Sequence, residues 1–244
     1  MEIGNHEPMK SIYIHNLQKK YGTQIALDIK ELHIEEGELC GIVGNNGAGK
    51  TTMFRLMLDL IAANQGEVWV NNSAIAGNEH WKEFTGSYLD EGFLIDFMNP
   101  QEYFYFTGKL YGFSQAEVDE ALVPYKRFLS DEIAGQKKHI RQLSSGNKQK
   151  VGIVAAMLIK PKLLVLDEPF NYLDPSSQIL IKRLLKQENE TRRTTMLISS
   201  HNLNHITDMC SRIILLEKGK VIKNIQLPDD SINDLENYFS AQAE

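Results

Sequence analysis

The sequence predicts an α/β fold: a core built on a parallel sheet, interrupted by a mainly helical insertion. Three observations carry this expectation. Short continuous apolar runs at Leu163–Leu166, Thr195–Ser199 and Arg212–Leu216 have the texture of strands buried on both faces of a sheet. Helix-compatible stretches, Ile179–Leu185 and Asn204–Cys210, lie between those runs, and strands alternating with helices are the pattern of parallel crossover connections. From about residue 88 to residue 160 the texture changes. Phe93, Phe97, Tyr103, Phe104, Tyr105, Phe106, Tyr111 and Phe113 crowd into 21 positions there.

In chain order, Ser11–Leu17 places Ile12, Ile14 and Leu17 as a first strand, and Lys19-Lys20-Tyr21-Gly22 reads as a turn. Ile25–Ile34 forms a second strand system, closed by Glu36-Gly37. The apolar run Leu39–Val43 ends at Gly44, a glycine-rich loop follows, and Thr52–Leu60 suits a helix. Glu67–Val70 is a short strand before the turn Asn71-Asn72. Within the insertion, Gln115–Ile133 spaces Ala116, Val118, Ala121 and Leu122 as a helix does. Its aromatics are expected to pack as core. A further helix over Asn147–Ile159 ends before Pro161.

Composition narrows the function classes. Hydrophobic content of 42% and charged content of 24% are those of an ordinary globular chain that buries a substantial core. A net charge of −6 and a pI near 5.7 argue against a nucleic-acid partner, which calls for a basic face. Cys40 and Cys210 form neither a metal spacing nor a disulfide framework, so a reducing cytosol is the expected compartment. Met1–Lys10 lacks the apolar core of a signal peptide. No stretch approaches 18 consecutive apolar residues, so the chain is not expected to span a membrane by itself.

The loop carries the first chemistry. Gly44-Asn45-Asn46-Gly47-Ala48-Gly49-Lys50-Thr51-Thr52 fits the Walker A pattern, Gly-x4-Gly-Lys-Thr, in its required strand–loop–helix context. Successive backbone N–H groups in such a loop make an anion-binding concavity, and the following helix start adds its positive end. Lys50 is positioned to reach β- and γ-phosphates, and Thr51 to offer its hydroxyl to Mg²⁺. A chance match in a chain of this length is on the order of one per cent. The loop is therefore read as a nucleotide site.

Leu163-Leu164-Val165-Leu166-Asp167-Glu168-Pro169 is an apolar strand ending in two carboxylates. Ligands of open parallel sheets sit beyond the carboxyl ends of strands, the edge on which the loop also lies. Asp167 suits an outer ligand for Mg²⁺, and Glu168 is a candidate base for polarising a water. Taken alone, the pair also reads as a helix cap followed by proline.

Further patterns fall in a consistent order. Leu143-Ser144-Ser145-Gly146-Asn147 opens the helix before Pro161, with Ser144 94 residues after Lys50 and 23 before Asp167. Asn171-Tyr172-Leu173-Asp174 follows the carboxylates, Ser199-Ser200-His201 ends a later apolar run, and Tyr21 precedes the second strand. Together with the loop and the carboxylate strand, these resemble the signature motif, D-loop, switch-histidine loop and adenine-stacking aromatic of the ATP-binding subunit of ABC transporters. The resemblance covers nearly the whole chain.

That resemblance implies the P-loop ATPase architecture of the family: a parallel central sheet, an N-terminal antiparallel β portion and an inserted helical subdomain. The chain divides on this basis into a nucleotide-binding core, 8–86 with 159–228, a helical subdomain, 87–158, and a C-terminal helix, 229–244. It implies ATP and Mg²⁺ as cofactors, with Lys50, Glu168 and His201 as catalytic residues. Tyr21, Gly44, Asn45, Asn46, Gly47, Ala48, Gly49, Lys50, Thr51 and Thr52 would hold the nucleotide from one side. Ser144, Ser145, Gly146 and Asn147 of a second copy would close over it. The metal would meet Thr51, Asp167 and Asp90.

Two positions depart from the family pattern. Asp90 falls where the family usually places a glutamine that touches Mg²⁺ and senses the membrane partner. Ser145 replaces the first signature glycine and adds a Cβ where the γ-phosphate approaches.

The expected function is ATP hydrolysis driving transport through separately encoded permease subunits, at the cytoplasmic face of the membrane. The cassette would act as a homodimer or paired with a second ATP-binding subunit. The segment Leu94–Gly112, ending Lys109-Leu110-Tyr111-Gly112, resembles the multidrug, antibiotic-immunity and sodium-export branch more than importers. The alternative is a soluble ABC-type ATPase acting on nucleic acid or ribosomes. Such relatives carry a long coiled coil or a second cassette, and this sequence shows neither.

Overall fold

The computed structural model describes residues 10–130, 133 and 137–227. The expected helix at 229–244 and the first residues of the expected core, 8 and 9, lie outside them. Two sheets form the frame. The first is antiparallel in the order β2-β1-β4-β5, with β1 Lys10–Tyr21, β2 Gln24–Glu35, β4 Gln65–Val70 and β5 Ser73–Ala74. The second has the order β10-β9-β3-β8-β7-β6, with β3 Leu39–Val43, β6 Thr85–Tyr88, β7 Leu163–Leu166, β8 Thr195–Ser200, β9 Arg212–Glu217 and β10 Lys220–Gln226. Its first five members from the β6 edge are parallel, and β10 returns antiparallel to β9.

Side-chain alternation along the central strands explains the layers. Leu39, Val43, Leu164, Leu166, Met196 and Ile198 share one buried cluster, while Cys40, Ile42, Leu163, Val165 and Leu197 share the other. Successive side chains of a strand point to opposite faces, so each apolar run feeds two cores at once. That is why these runs lack alternation in sequence. One face is covered by the antiparallel sheet and by α1, Lys50–Met57, through Ile12, Ile29, Met53 and Phe54. The other is covered by the remaining helices, and each fully buried aliphatic there contributes about 1.5–3 kcal/mol.

Those helices are α2 Pro100–Leu110, α3 Gln115–Leu122, α4 Lys126–Leu129, α5 Ser145–Leu158, α6 Pro175–Arg192 and α7 Leu203–Thr207. Capping residues set their starts. Asn99 with Glu102, and Ser114 with Glu117, form reciprocal capping boxes at α2 and α3. Asp174 accepts from the Ser177 N–H at 3.0 Å to start α6, with Pro175 in the first turn. Hydrogen bonds from Ser176 and Ser177 hold the Asp174 carboxyl below the usual carboxylate range.

Several boundaries differ from expectation. The residues read as a turn, Lys19–Tyr21, complete β1; Tyr21 pairs with Gln24, and the chain reverses at Gly22. The single helix expected over 115–133 is two, because Val123-Pro124-Tyr125 tightens into a 3₁₀ turn at a residue that cannot donate to the helix. Three strands were not anticipated: the two-residue β5, β6 and β10. β6 is a short edge strand without an apolar run, and β10 leaves most of its residues outside the core.

Candidate functional site

The glycine-rich loop joins β3 to α1 at the carboxyl edge of the central sheet. Gly49 takes φ +108 at the helix start, a conformation reserved for glycine, and no side chain caps the helix. The first N–H groups of α1 are thus left for a ligand. The loop is braced by Ala48 N–H to Asn45 O at 3.0 Å and by Gly219 N–H to Ala48 O at 2.8 Å. Lys50, the first residue of α1, is buried, and its ammonium donates to Gly44 O at 2.6 Å and Asn45 O at 3.3 Å. Its third neighbour is the Glu168 carboxylate, 3.2 Å away.

Asp167 and Glu168 follow β7. Asp167 is buried, accepting from the Thr51 hydroxyl at 2.5 Å on one oxygen and from the Ser199 hydroxyl on the other. Burial raises its carboxyl above the usual range, and the hydroxyl hydrogen bonds of Ser199 and Thr51 act against that rise. Thr51 and Asp167 offer a hydroxyl and one carboxylate, both hard oxygen donors. Mg²⁺ uses few protein ligands and keeps waters or phosphates in its other positions, so this pair fits it. Among the described residues no group of three or more His, Cys, Asp or Glu gathers as an all-protein metal cage.

Glu168 sits at φ +48, the left-handed region. Its N–H donates to Ser199 Oγ at 2.8 Å, and its carbonyl accepts from Gln149 Nε2 at 3.0 Å and Asn171 N–H at 3.2 Å. The carboxylate is held between Lys50 and His201, whose Nδ1 lies 2.9 Å from Glu168 Oε2. Lys50, Thr51, Asp167, Glu168 and His201 therefore converge from three separate elements.

Two clefts meet at Glu168. One of about 310 Å³ lies over the loop and is lined by Asn46–Thr52, Glu168, Lys218 and Gln24–Ala26. A second of about 220 Å³ contains Asp90, Ser145, Gln149, Asp167, Glu168 and Tyr172. A further cleft of about 560 Å³, bounded by Lys160, Lys162, Arg192 and Arg193, opens near the amino ends of β7 and β8, away from this chemistry.

The remaining sequence-derived residues are placed as follows. Asp90 shares the second cleft with Asp167, while its own oxygens meet the Gly92 N–H at 2.8 Å and, at 3.7 Å, the Arg55 guanidinium. Ser144 caps α5 by accepting from Asn147 N–H at 3.3 Å. Among the described residues, none of Ser144–Asn147 lines the cleft over the loop. Tyr21 is exposed at the end of β1, with the Lys19 ammonium 5.3 Å from its ring centre. The neighbouring Gln24, Ile25 and Ala26 line the loop cleft instead. Sequence reasoning missed the contacts of Gln149 and Ser199. Gln149 lay two positions beyond the signature pattern, and Ser199 lay within the switch loop without an assigned role.

The family model for ABC transporters matches residues 27–171, from the second strand through both carboxylates. The chain belongs to the ABC transporter family. ABC cassettes of this kind bind ATP, act as ATPases as a class, and pair with permease subunits. Among curated ABC relatives, the tungstate uptake ATP-binding protein TupC of Peptoclostridium acidaminophilum is 32% identical, over 86% of this chain and 96% of its own. The bacitracin transport ATP-binding protein BcrA of Bacillus licheniformis is also 32% identical, over 86% of this chain and 68% of its own. A solved dimeric bacterial ABC transporter cassette superposes with a TM-score of 0.79 at 25% identity, covering 89% of this chain and 99% of that one.

Proposed function

We propose that this chain hydrolyses ATP to drive transport through separate permease subunits. The observation that supports this best is the Glu168 carboxylate, held between Lys50 and His201 beside the Thr51–Asp167 pair. In this reading the loop N–H groups and Lys50 bind the β- and γ-phosphates, and Thr51 and Asp167 hold Mg²⁺, which would offset phosphate charge when bound. Glu168 orients and polarises the attacking water, and His201 contacts the γ-phosphate. Tyr21, exposed at the end of β1 beside the Gln24–Ala26 lining, is assigned to stack on the adenine, and Ser144–Asn147 of a second copy to complete the site. Asp90, which lines the same cleft as Asp167, is assigned to the metal's outer ligands.

The core at 8–86 and 159–228 would carry this chemistry, and the helical portion at 87–158 would receive the membrane partner. Among the described residues no helix is long and apolar enough to cross a membrane, so a peripheral place beside permease subunits fits the chain. For direction we favour export, on the likeness of Leu94–Gly112 to the antibiotic-immunity branch.

Phosphate release by the purified chain tests the reading. Glu168→Gln should slow it by roughly 10²–10⁴, the usual worth of a positioned base, and His201→Ala should slow it without preventing nucleotide binding. Native turnover in Glu168→Gln would remove Glu168 from the base role.

A further inference from the structure

We infer that Gln149 is a positioning residue for the reaction, fixing the Glu168 carboxylate through its backbone and tying it to the helix that starts at Ser144. The inference rests on the reading of Glu168 as the base. Glu168 occupies the left-handed region at φ +48, which costs a non-glycine residue about 1–3 kcal/mol unless its surroundings enforce it. Its N–H is fixed by Ser199, and its carbonyl takes the Gln149 amide at 3.0 Å beside the Asn171 N–H at 3.2 Å. With both peptide groups held, the side chain projects from a fixed backbone into the gap between Lys50 and His201.

Of these restraints, Gln149 alone comes from α5. It is nine-tenths buried, and its amide reaches a carbonyl nineteen positions away in sequence. Helix α5 meets this edge of the sheet at a second point. A Cβ on Gly152 would lie 2.0 Å from the Tyr88 ring, and the Tyr88 carbonyl accepts from Asp167 N–H at 2.9 Å. The helix whose first turn contains Ser145 and Gly146 is therefore seated against both carboxylate residues. A displacement of that first turn must either carry the Gln149 amide away from Glu168 or carry Glu168 with it.

The test is a double-mutant cycle on the full chain, read by single-turnover phosphate release and by the MgATP dependence of steady-state rates. Gln149→Leu removes the donor and keeps the bulk. It should lower kcat about ten-fold, the scale of one well-placed hydrogen bond at a reacting group, with KM for MgATP changed less than two-fold. In a Glu168→Gln background the same substitution should produce no further loss, since nothing remains to be positioned. An unchanged kcat, or an equal fractional loss in both backgrounds, overturns the inference. Should Gln149→Leu melt well below the native chain, Gln149→Met, which keeps the length of the side chain, is measured against the same two outcomes. A Glu168→Gln chain that turns over at the native rate overturns both readings. A slow Glu168→Gln beside a normal Gln149→Leu overturns this one alone.

Discussion

The Lys50 ammonium stands 3.2 Å from the Glu168 carboxylate, in a pocket where Lys50 is almost wholly buried. Its other donors are already engaged by Gly44 O and Asn45 O. On the proposed reading, an arriving triphosphate would take this ammonium away from Glu168 and leave the carboxylate free to meet a water. Glu168→Gln removes the competing charge. The variant should therefore bind ATP several-fold more tightly than the native chain, opposite in sign to its effect on turnover. Calorimetric titration with ATP under non-hydrolysing conditions measures this, and weaker binding would mean that Glu168 does not compete for Lys50.

Lys50→Ala acts on the same pair from the other side. It deletes the loop's only side-chain cation and leaves the His201 ring as the remaining close side-chain partner of the Glu168 carboxylate. Tight MgATP binding should be lost. Unchanged affinity in the same titration would take the phosphate contact away from this lysine.

Asp90 has a half-buried partner, Arg55, at 3.7 Å on the surface, and it caps the short turn that starts at Glu91. Surface pairs of this kind are worth about 0–1 kcal/mol. Asp90→Gln should therefore leave the melting temperature nearly unchanged. If this loop couples to the permease, the substitution should alter how strongly the partner stimulates hydrolysis. Equal stimulation of both chains, measured as the ratio of ATPase rates with and without the partner, would place Asp90 outside the coupling path.

Gly152 is a packing prediction. Its Cα lies so close to the buried Tyr88 ring that any Cβ would overlap it at 2.0 Å. Gly152→Ala must push α5 from β6, at a cost of about 1–3 kcal/mol for an overpacked contact. A thermal melt equal to the native one would show that the ring can yield.

What could be read in the sequence follows from how local each signal is. Lys50, Thr51, Asp167, Glu168 and His201 each follow or flank an apolar strand, so strand ends and spacing were enough to bring them to one edge. The Gln149–Glu168 and Ser199–Asp167 contacts depend on how α5 and β8 lie against β7, and no spacing within one element encodes them. β6 was missed because Thr85-Gly86-Ser87-Tyr88 has no apolar run; it is a strand because β7 offers it a free edge. β10 was missed because only Ile225 of its seven residues is buried. Tyr21 was read as a turn residue because Lys19 and Lys20 are polar, yet they pair across the hairpin with Leu27 and Ile25.

Assembly gives the last prediction. Among the described residues, no part of Ser144–Asn147 lines the cleft that holds Lys50, while Tyr172 stands 75% exposed at φ +61 beside Ser145 in the second cleft. A single chain thus leaves the γ-phosphate position open on one side. A second copy related by a two-fold axis can present its α5 start there, and such an interface is self-complementary. Without nucleotide the chains should remain largely monomeric, since each carries a net charge of −6 and the interface lacks its shared ligand. If ATP is bound better by the closed pair than by the open chain, it favours that pair, and hydrolysis would empty it. Glu168→Gln should therefore accumulate as a dimer with ATP and return to a monomer with ADP, measured by light scattering. A monomeric mass at saturating ATP would contradict pairing between copies of this chain.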